Sequence, residues 1–262
     1  MIDLFTLTLF SMPRMIFIIA AERLTRSSAV HENSILRLVR PDKQVRREWA
    51  SIPVTLAIDI LLIYALIRMG LVNVEGELAL WQCAVAFLGH FLLLEFFYYW
   101  LHRAQHTFPQ LYKMHAKHHK SVIPTPSTAL TFTILDRMSL APIFVTPVVL
   151  FSQAFGAFPF WLLLVTLAIH DLLNTLGHVN REFTPKWYRD SILSRIIYTP
   201  THHTLHHTRQ AGNYSLFMPV WDLLFKTDFK DAHAIAEKAT LGKGLASLRG
   251  PPRSDEVSGE AE

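Results

Sequence analysis

One cysteine, Cys83, stands in this chain of 262 residues, and it lies inside an apolar stretch. That excludes an internal disulfide, a CxxC redox pair and a cysteine-held iron–sulfur cluster. Charge is scarce as well. Asp, Glu, Lys and Arg make up 18% of the residues, where a soluble globular domain carries about a quarter, and 51% of the chain is hydrophobic. No GxGxxG follows a strand pattern, since Gly242-Lys243-Gly244 lacks the third glycine, and no CxxCH string is present. Neither a bound dinucleotide nor a covalently attached haem is implied. HExxH is missing too: Arg103 stands next to His102, where a zinc protease needs its glutamate. The net charge of +4 is spread between apolar spans rather than gathered into a patch, which fits membrane topology and not nucleic acid.

What is present reads as one compact, all-α membrane unit. The mean hydropathy is +0.25, and several stretches approach the roughly 20 apolar residues needed to cross a bilayer. These are Ser51 to Met69, Leu78 to Leu101, and Phe158 through His170 toward Gly177, with Met138 to Phe155 as a fourth, bent by Pro142 and Pro147. A fifth run, Leu4 to Ala21, is interrupted by Pro13 and Arg14 and has no cleavage pattern after it. Four to five spans are therefore expected. Residues 1–50 are expected to form a hydrophobic segment followed by an amphipathic interfacial helix over 22–48, in which Ile35, Leu36, Leu38 and Val39 sit among basic neighbours. Residues 51–230 form the membrane domain. Residues 231–262 are expected to form a polar, disordered tail, the composition being plainest from Gly250 onward.

Lysine and arginine mark cytoplasmic loops. They crowd the loop from Glu22 to Glu48, the loop from His102 to Arg137 and the chain after His178, whereas Val72 to Glu77 is acidic and Gln153 to Pro159 uncharged. This places the last two turns outside and every histidine cluster on the cytoplasmic side, at helix ends or in a helical cap. The chain is thus expected in the endoplasmic reticulum membrane of a eukaryote or the inner membrane of a bacterium.

Nine of the fourteen histidines fall into four clusters: His102 and His106; His115, His118 and His119; His178; and His203, His206 and His207. Separations of three or four residues make helical side chains neighbours, so each multi-residue cluster has the spacing to clamp an ion. Nine imidazoles exceed a four-ligand structural site and even an octahedral shell, which favours two ions in one basin. Asn174 shares a face with His178 and is a weak ligand or a support for one. His170 lies about 12 Å up the same helix and is read as a polar membrane residue. His202 points about 100° away from His203 and is excluded, while His31, His90 and His233 are isolated. Asp59 and Glu95 lie within spans, where an acid is costly, and neither has a partner visible in the sequence.

HRAQH, HAKHH, GHVN and HTLHH, followed by NYSLFMPVWDLLFKT, occur in this order between membrane spans. Over roughly residues 80 to 230 this pattern resembles the fatty acid hydroxylase and sterol desaturase superfamily. LGHVNREFTPKW and IYTPTHHTLHHTRQAGNYSLFMPVWD look most like the N-terminal membrane domain of the plant eceriferum proteins, which act in wax alkane formation. IPTPSTALTF is similar to sterol C5-desaturases. Two positions depart from the pattern: Asn174 stands where many members carry another histidine, and Lys226 where the WDxxFGT ending has glycine. The chain also ends before the second, soluble domain of the wax proteins, so complete aldehyde-to-alkane activity is not expected of it alone.

The resemblance implies a di-iron oxygenase in which the nine histidines hold two Fe ions, with Zn able to replace them in a purified sample. Such an enzyme would use O2 to hydroxylate or desaturate a sterol or fatty acyl chain drawn from the bilayer, or would form alkane from aldehyde. With no cofactor string of its own, the chain would need an external electron donor such as cytochrome b5 or a ferredoxin system. Two rivals of other classes stand beside this reading: a membrane metal transporter or metal-binding protein, whose sites would lie near the bilayer midplane, and a haem protein ligated by His90 and His170.

Overall fold

The computed structural model describes residues 3–25 and 32–247. Five helices are long and apolar enough to cross a membrane: α1 (Leu4–Thr25), α2 (Asp42–Arg68), α3 (Leu80–Thr107), α5 (Ile134–Phe155) and α6 (Phe160–Gly177). Between α3 and α5 lie α4 (Pro109–His119) and a buried 3₁₀ helix, Pro126–Leu130. After α6 the chain forms a cap of short helices: α7 (Lys186–Arg189), α8 (Leu193–Ile196), α9 (Pro200–Arg209), α10 (Val220–Phe225) and α11 (Ala232–Thr240). Among the described residues there is no strand ladder, only two isolated bridges. The architecture is all-α, as the apolar runs predict, and α5 continues through both Pro142 and Pro147.

The two tight turns at the far end of the bundle are joined to each other. The amide of Phe158 donates to the carbonyl of Asn73 (2.7 Å) and that of Phe160 to Val74 (2.9 Å). Beneath them Cys83, Ala86, Val148, Phe158 and Leu162 form an apolar core between α3, α5 and α6. The α2–α3 and α5–α6 connections thus share one end of the bundle, and every cap helix lies at the other. A second core, including Leu94, Tyr98, Leu140, Tyr198 and Phe217, sits directly below the cap.

Two expectations are corrected. Residues 22–48 do not form an interfacial helix: 22–25 complete α1, 26–31 lie outside the described residues, and 42–48 are the first turns of α2. Ile35 and Leu36 are fully buried, Ile35 against Leu205, Ile235 and Ala239 of the cap, and Leu36 bridges to Leu245. Their apolar surface is covered by protein instead of lipid. The chain is also not a disordered tail from 231: Ala232–Thr240 is helical, with Ile235, Ala236 and Ala239 buried. The stretch from Gly250 lies outside the described residues.

The acids that the sequence leaves unpartnered in the spans have partners in the fold. Asp59 accepts from Arg14 (3.0 Å) and Arg137 (2.6 Å), and Arg14 also pairs with Asp171 (2.6 Å). Two cations thus balance two anions among α1, α2, α5 and α6, as the cost of charge in hydrocarbon requires. Glu95 accepts the backbone amides of Phe217 (2.7 Å) and Met218 (3.2 Å), pinning the segment before α10 to α3.

Lys226, at the end of α10, has φ 55° and ψ 39°. This left-handed conformation crowds a Cβ against the following carbonyl, whereas glycine adopts it freely. Lys226→Gly is therefore expected to stabilise the protein by about 1 kcal/mol, read as a higher unfolding temperature in detergent.

Candidate metal centre

The nine clustered histidines meet in the cap end of the bundle as two groups. His102, His106, His115, His119 and His206 form one, His118, His178, His203 and His207 the other, and within each group one nitrogen per ring lies within 4.8 Å of all the others. Each sequence cluster does not make its own site. α4 sends His115 and His119, one turn apart, to the five-histidine group and His118 to the four-histidine group; α9 sends His206 to the first and His203 and His207 to the second. Adjacent helical residues diverge by about 100°, so an HxxHH string naturally serves two neighbouring sites. The groups adjoin, with ring centroids 4.8 Å apart for His119 and His207 and 4.6 Å for His118 and His207, the latter pair within one group.

Each helix has a local reason to present these rings. α3 runs out of the bundle as one helix and carries His102 and His106 on successive turns at its end. α4 and α9 each begin with proline, at Pro109 and Pro200, which needs no amide partner in a first turn. His178 caps the C-terminus of α6. Gly177, just before it, admits the Tyr198 ring, whose hydroxyl donates to the carbonyl of Leu173; a Cβ there would collide with the hydroxyl oxygen.

Five rings are held by Nδ1. His102 donates to the carbonyl of Tyr214 (2.7 Å), His118 to Thr131 (3.2 Å), His178 to Asn174 (2.6 Å) and His206 to Gly212 (2.7 Å), while His115 donates to the Asp136 carboxylate (3.1 Å). Carbonyls only accept, so these Nδ1 atoms carry the proton and each Nε2 keeps its lone pair. Yet the Nε2 atoms of His102 and His115 lie 3.1 Å apart, and both rings are fully buried. Two lone pairs facing each other in a dry site repel. Two nitrogens bound at right angles to one ion at about 2.1 Å would lie about 3 Å apart, so a cation between them fits this geometry. The Nε2 atoms of His115 and His119 (3.0 Å), of His119 and His206 (3.2 Å) and of His178 and His203 (3.0 Å) have the same spacing. His106 Nε2, His203 Nδ1 and both nitrogens of His207 are buried with no hydrogen-bond partner among the described residues. Burial holds His118, His119, His203, His206 and His207 well below the ordinary histidine range and lowers His178 to about 4. They are neutral near pH 7, the form that ligates.

The supports are where sequence reasoning fell short. Asp136, fully buried at the start of α5, orients His115 and accepts from Gln105 (3.0 Å). Asp222 Oδ1 accepts the amide of Tyr214 (2.8 Å) and the hydroxyl of Thr227 (2.7 Å), and its Oδ2 accepts the amide of Ser215 (2.9 Å) and lies 3.3 Å from His202 Nε2. Burial would raise its pKa, but these donors hold it well below the usual carboxylate range. Through Tyr214 it places the carbonyl that His102 needs. The only hint in the sequence is that both acids lie beside apolar runs. His202, excluded by its helical angle, indeed faces Asp222 and belongs to neither histidine group. The Asn174 side-chain amide donates to the carbonyl of Ala129 (3.1 Å), and its own backbone carbonyl orients His178. His170 lies outside both groups, its ring against Phe144 and Phe217.

Residues 87–227, over half of the chain, match the fatty acid hydroxylase family. A very-long-chain aldehyde decarbonylase of rice, GL1-6, is 34% identical over 60% of this chain and 25% of its own length. Another, GL1-5, is 31% identical over 69% of this chain and 30% of its own length. The very-long-chain aldehyde decarbonylase CER1 of Arabidopsis thaliana is 32% identical over 61% of this chain and 26% of its own length. The chain thus spans between a quarter and a third of these relatives. No solved structure matches it.

Asp136→Asn keeps the shape but weakens the hold on the His115 proton. It is expected to reduce metal affinity of the five-histidine group by roughly 10–100-fold and leave the four-histidine group loaded, as read by metal analysis with graded chelation. For acid, the sign comes from His178. Its pKa is about 4 folded against 6.5 for an ordinary histidine, so the unfolded chain binds more protons between those values and stability falls as pH drops through that window. The unfolding temperature of chelator-treated protein should decline between pH 6.5 and 4; a flat profile would contradict the neutral assignment.

Proposed function

Since the chain belongs to the fatty acid hydroxylase family, we propose that it is a membrane-bound di-iron oxygenase that hydroxylates or desaturates the hydrocarbon of a lipid. The observation that carries this reading is the pair of adjoining buried histidine groups, whose protonated Nδ1 atoms are anchored outward and whose lone pairs face inward. Imidazole suits iron, and also zinc or copper; the family together with the donor set supports iron. The five-histidine group would hold one ion and the four-histidine group the other. When bound, the irons would supply an oxidant for an unactivated C–H bond, made from O2 and two electrons, with one oxygen atom entering the product alcohol and the other leaving as water.

The chain's own part is to hold and shield. His102, His115, His118, His178 and His206 are oriented by backbone carbonyls and Asp136, so the site stays arranged without reorganisation. His118 and His178 also line a small cavity whose walls combine apolar Leu140, Phe144 and Leu216 with polar Arg137 and Asn174, where the reacting end of a lipid would lie. The electrons would come from an external donor such as cytochrome b5 or a ferredoxin system, docking at the cap end, where Lys113 and Lys120 of α4 are exposed. The positive-inside pattern of the loops supports a cytoplasmic position for that end.

A second reading draws support from the relatives. Those matched are named aldehyde decarbonylases, so conversion of a long-chain aldehyde to a hydrocarbon, by this chain or together with another, is the alternative outcome of the same site.

Lipid profiles of cells with and without the protein, alongside iron analysis of the purified sample, test both. The expected result is two irons per chain and a new hydroxyl or alkene; a new alkane would select the second reading. His207→Ala should abolish the product. An unchanged lipid profile from iron-loaded protein supplied with O2 and donor would overturn the enzyme reading.

A further inference from the structure

Arg137, in the first turn of α5, is buried at the cap end of the helix bundle, yet uses little of its hydrogen-bonding capacity. Its Nε donates to Asp59 (2.6 Å), and among the described residues its two terminal amino groups have no hydrogen-bond partner. The guanidinium carbon lies 5.7 Å from the Phe132 ring centroid and 5.2 Å from that of Phe144, so the group is held between two aromatic faces. At 7% exposure this is a largely buried cation with up to four unspent N–H donors. Keeping a charge away from water is costly unless it is paired and hydrogen-bonded.

The cavities indicate what it faces. Arg137 lines both the cavity of about 20 Å³ bounded by His118 and His178 and a second one of about 50 Å³ that extends between α2, α3, α5 and α6. Phe144 and His170 also belong to both walls, so the two cavities adjoin across Arg137, Phe144 and His170. On the far side of Arg14 and Asp59 a groove of about 430 Å³ runs between α1, α2 and α6, reaching the exposed Pro13 and Leu172. Beyond its charged rim this path is lined by leucine, isoleucine, valine and phenylalanine. His90 Nδ1 and His170 Nε2, both buried on the wall of the middle cavity, also lack partners. A water needs about 10–15 Å³, so the inner cavities admit a small oxygen-bearing group with a single chain, not a glycerophosphate headgroup.

Resting on the oxygenase reading, we propose that Arg137 is the head-group receptor for a single-chain lipid ending in a carbonyl or carboxylate, which enters laterally between α1, α2 and α6. The terminal amino groups of Arg137 donate to its oxygen beside the four-histidine group, and the hydrocarbon lies back along the middle cavity. The four-histidine group is then the one that faces substrate, since none of the five-histidine group lines either inner cavity. Guanidinium matches such a head because its fixed N–H fork fits one or two oxygens.

The test is binding, measured on the purified full chain in lipid nanodiscs with hexadecanal, palmitate and hexadecane as probes, by thermal shift and titration. Both oxygenated probes, or one of them, should bind about tenfold more tightly than hexadecane, as expected for a hydrogen bond to a charged group; the better of the two identifies aldehyde or acid as the head. Arg137→Met should erase that preference, and Arg137→Lys, which can still pair with Asp59, should keep part of it. Equal binding of all three probes, as when only water occupies the cavity, would overturn the proposal, as would a preference that survives in Arg137→Met. If Arg137→Met does not fold, Phe144→Trp, which leaves the Asp59 pair intact and narrows the passage, should abolish the preference, and its persistence would overturn the route. No oxygen or electrons are added, so absence of lipid products in cells and absence of head-group binding are separate results.

Discussion

Nine imidazoles, all but the half-buried His106 fully enclosed, are packed so that several ring nitrogens face one another about 3 Å apart, an arrangement that a cation between them would make favourable. His102 and His115 state the problem most sharply: each has its other nitrogen committed as a donor, and the two free nitrogens are 3.1 Å apart. Protonating one ring would relieve the repulsion in water. In a buried site the desolvation of the imidazolium works against it. The rest of the cap can be understood as what is required to hold the rings in this otherwise unfavourable place.

The holding is done largely by backbone. Carbonyls of Thr131, Asn174, Gly212 and Tyr214 accept from four of the rings, so irregular segments between helices become part of the site. Those segments need fixing in turn. Glu95 takes the amides of Phe217 and Met218, Asp222 takes those of Tyr214 and Ser215, and Gly212 passes where a Cβ would meet the Thr227 carbonyl oxygen at 2.6 Å. Two buried acids thus tie one loop to α3 and α10, and that loop orients His102 and His206. A histidine site assembled from four separate segments is only as precise as these second contacts.

The same logic extends into the bilayer. Arg14, Asp59, Arg137 and Asp171 join α1, α2, α5 and α6 by ion pairs whose charges sum to zero. The pairing makes four charges tolerable in the spans, and it leaves Arg137 with donors turned toward the cavities that adjoin the His118 and His178 rings. Arg137 thus belongs both to the ion-pair network that joins the helices and to the wall of the cavity lined by His118 and His178.

Apolar length, loop charge and histidine spacing are local properties, legible before any packing is known. They identify an all-α membrane chain, the five apolar helices, and nine histidines fit for metal. The order of the four motifs adds the family. Partnership is a different matter, because residues distant in sequence meet only when the chain packs. Nothing near Asp136 says that it will face His115, and nothing near Asp59 shows Arg14 and Arg137 arriving from other helices. Ile35 and Leu36 read as a lipid-facing stripe because apolar surface looks alike whether lipid or protein covers it; only the docking of α9 and α11 decides. So too with the histidines. Spacing says which rings share a helix face, but the crossing of α3, α4, α6 and α9 decides that His118 and His119, neighbours in sequence, fall in different groups.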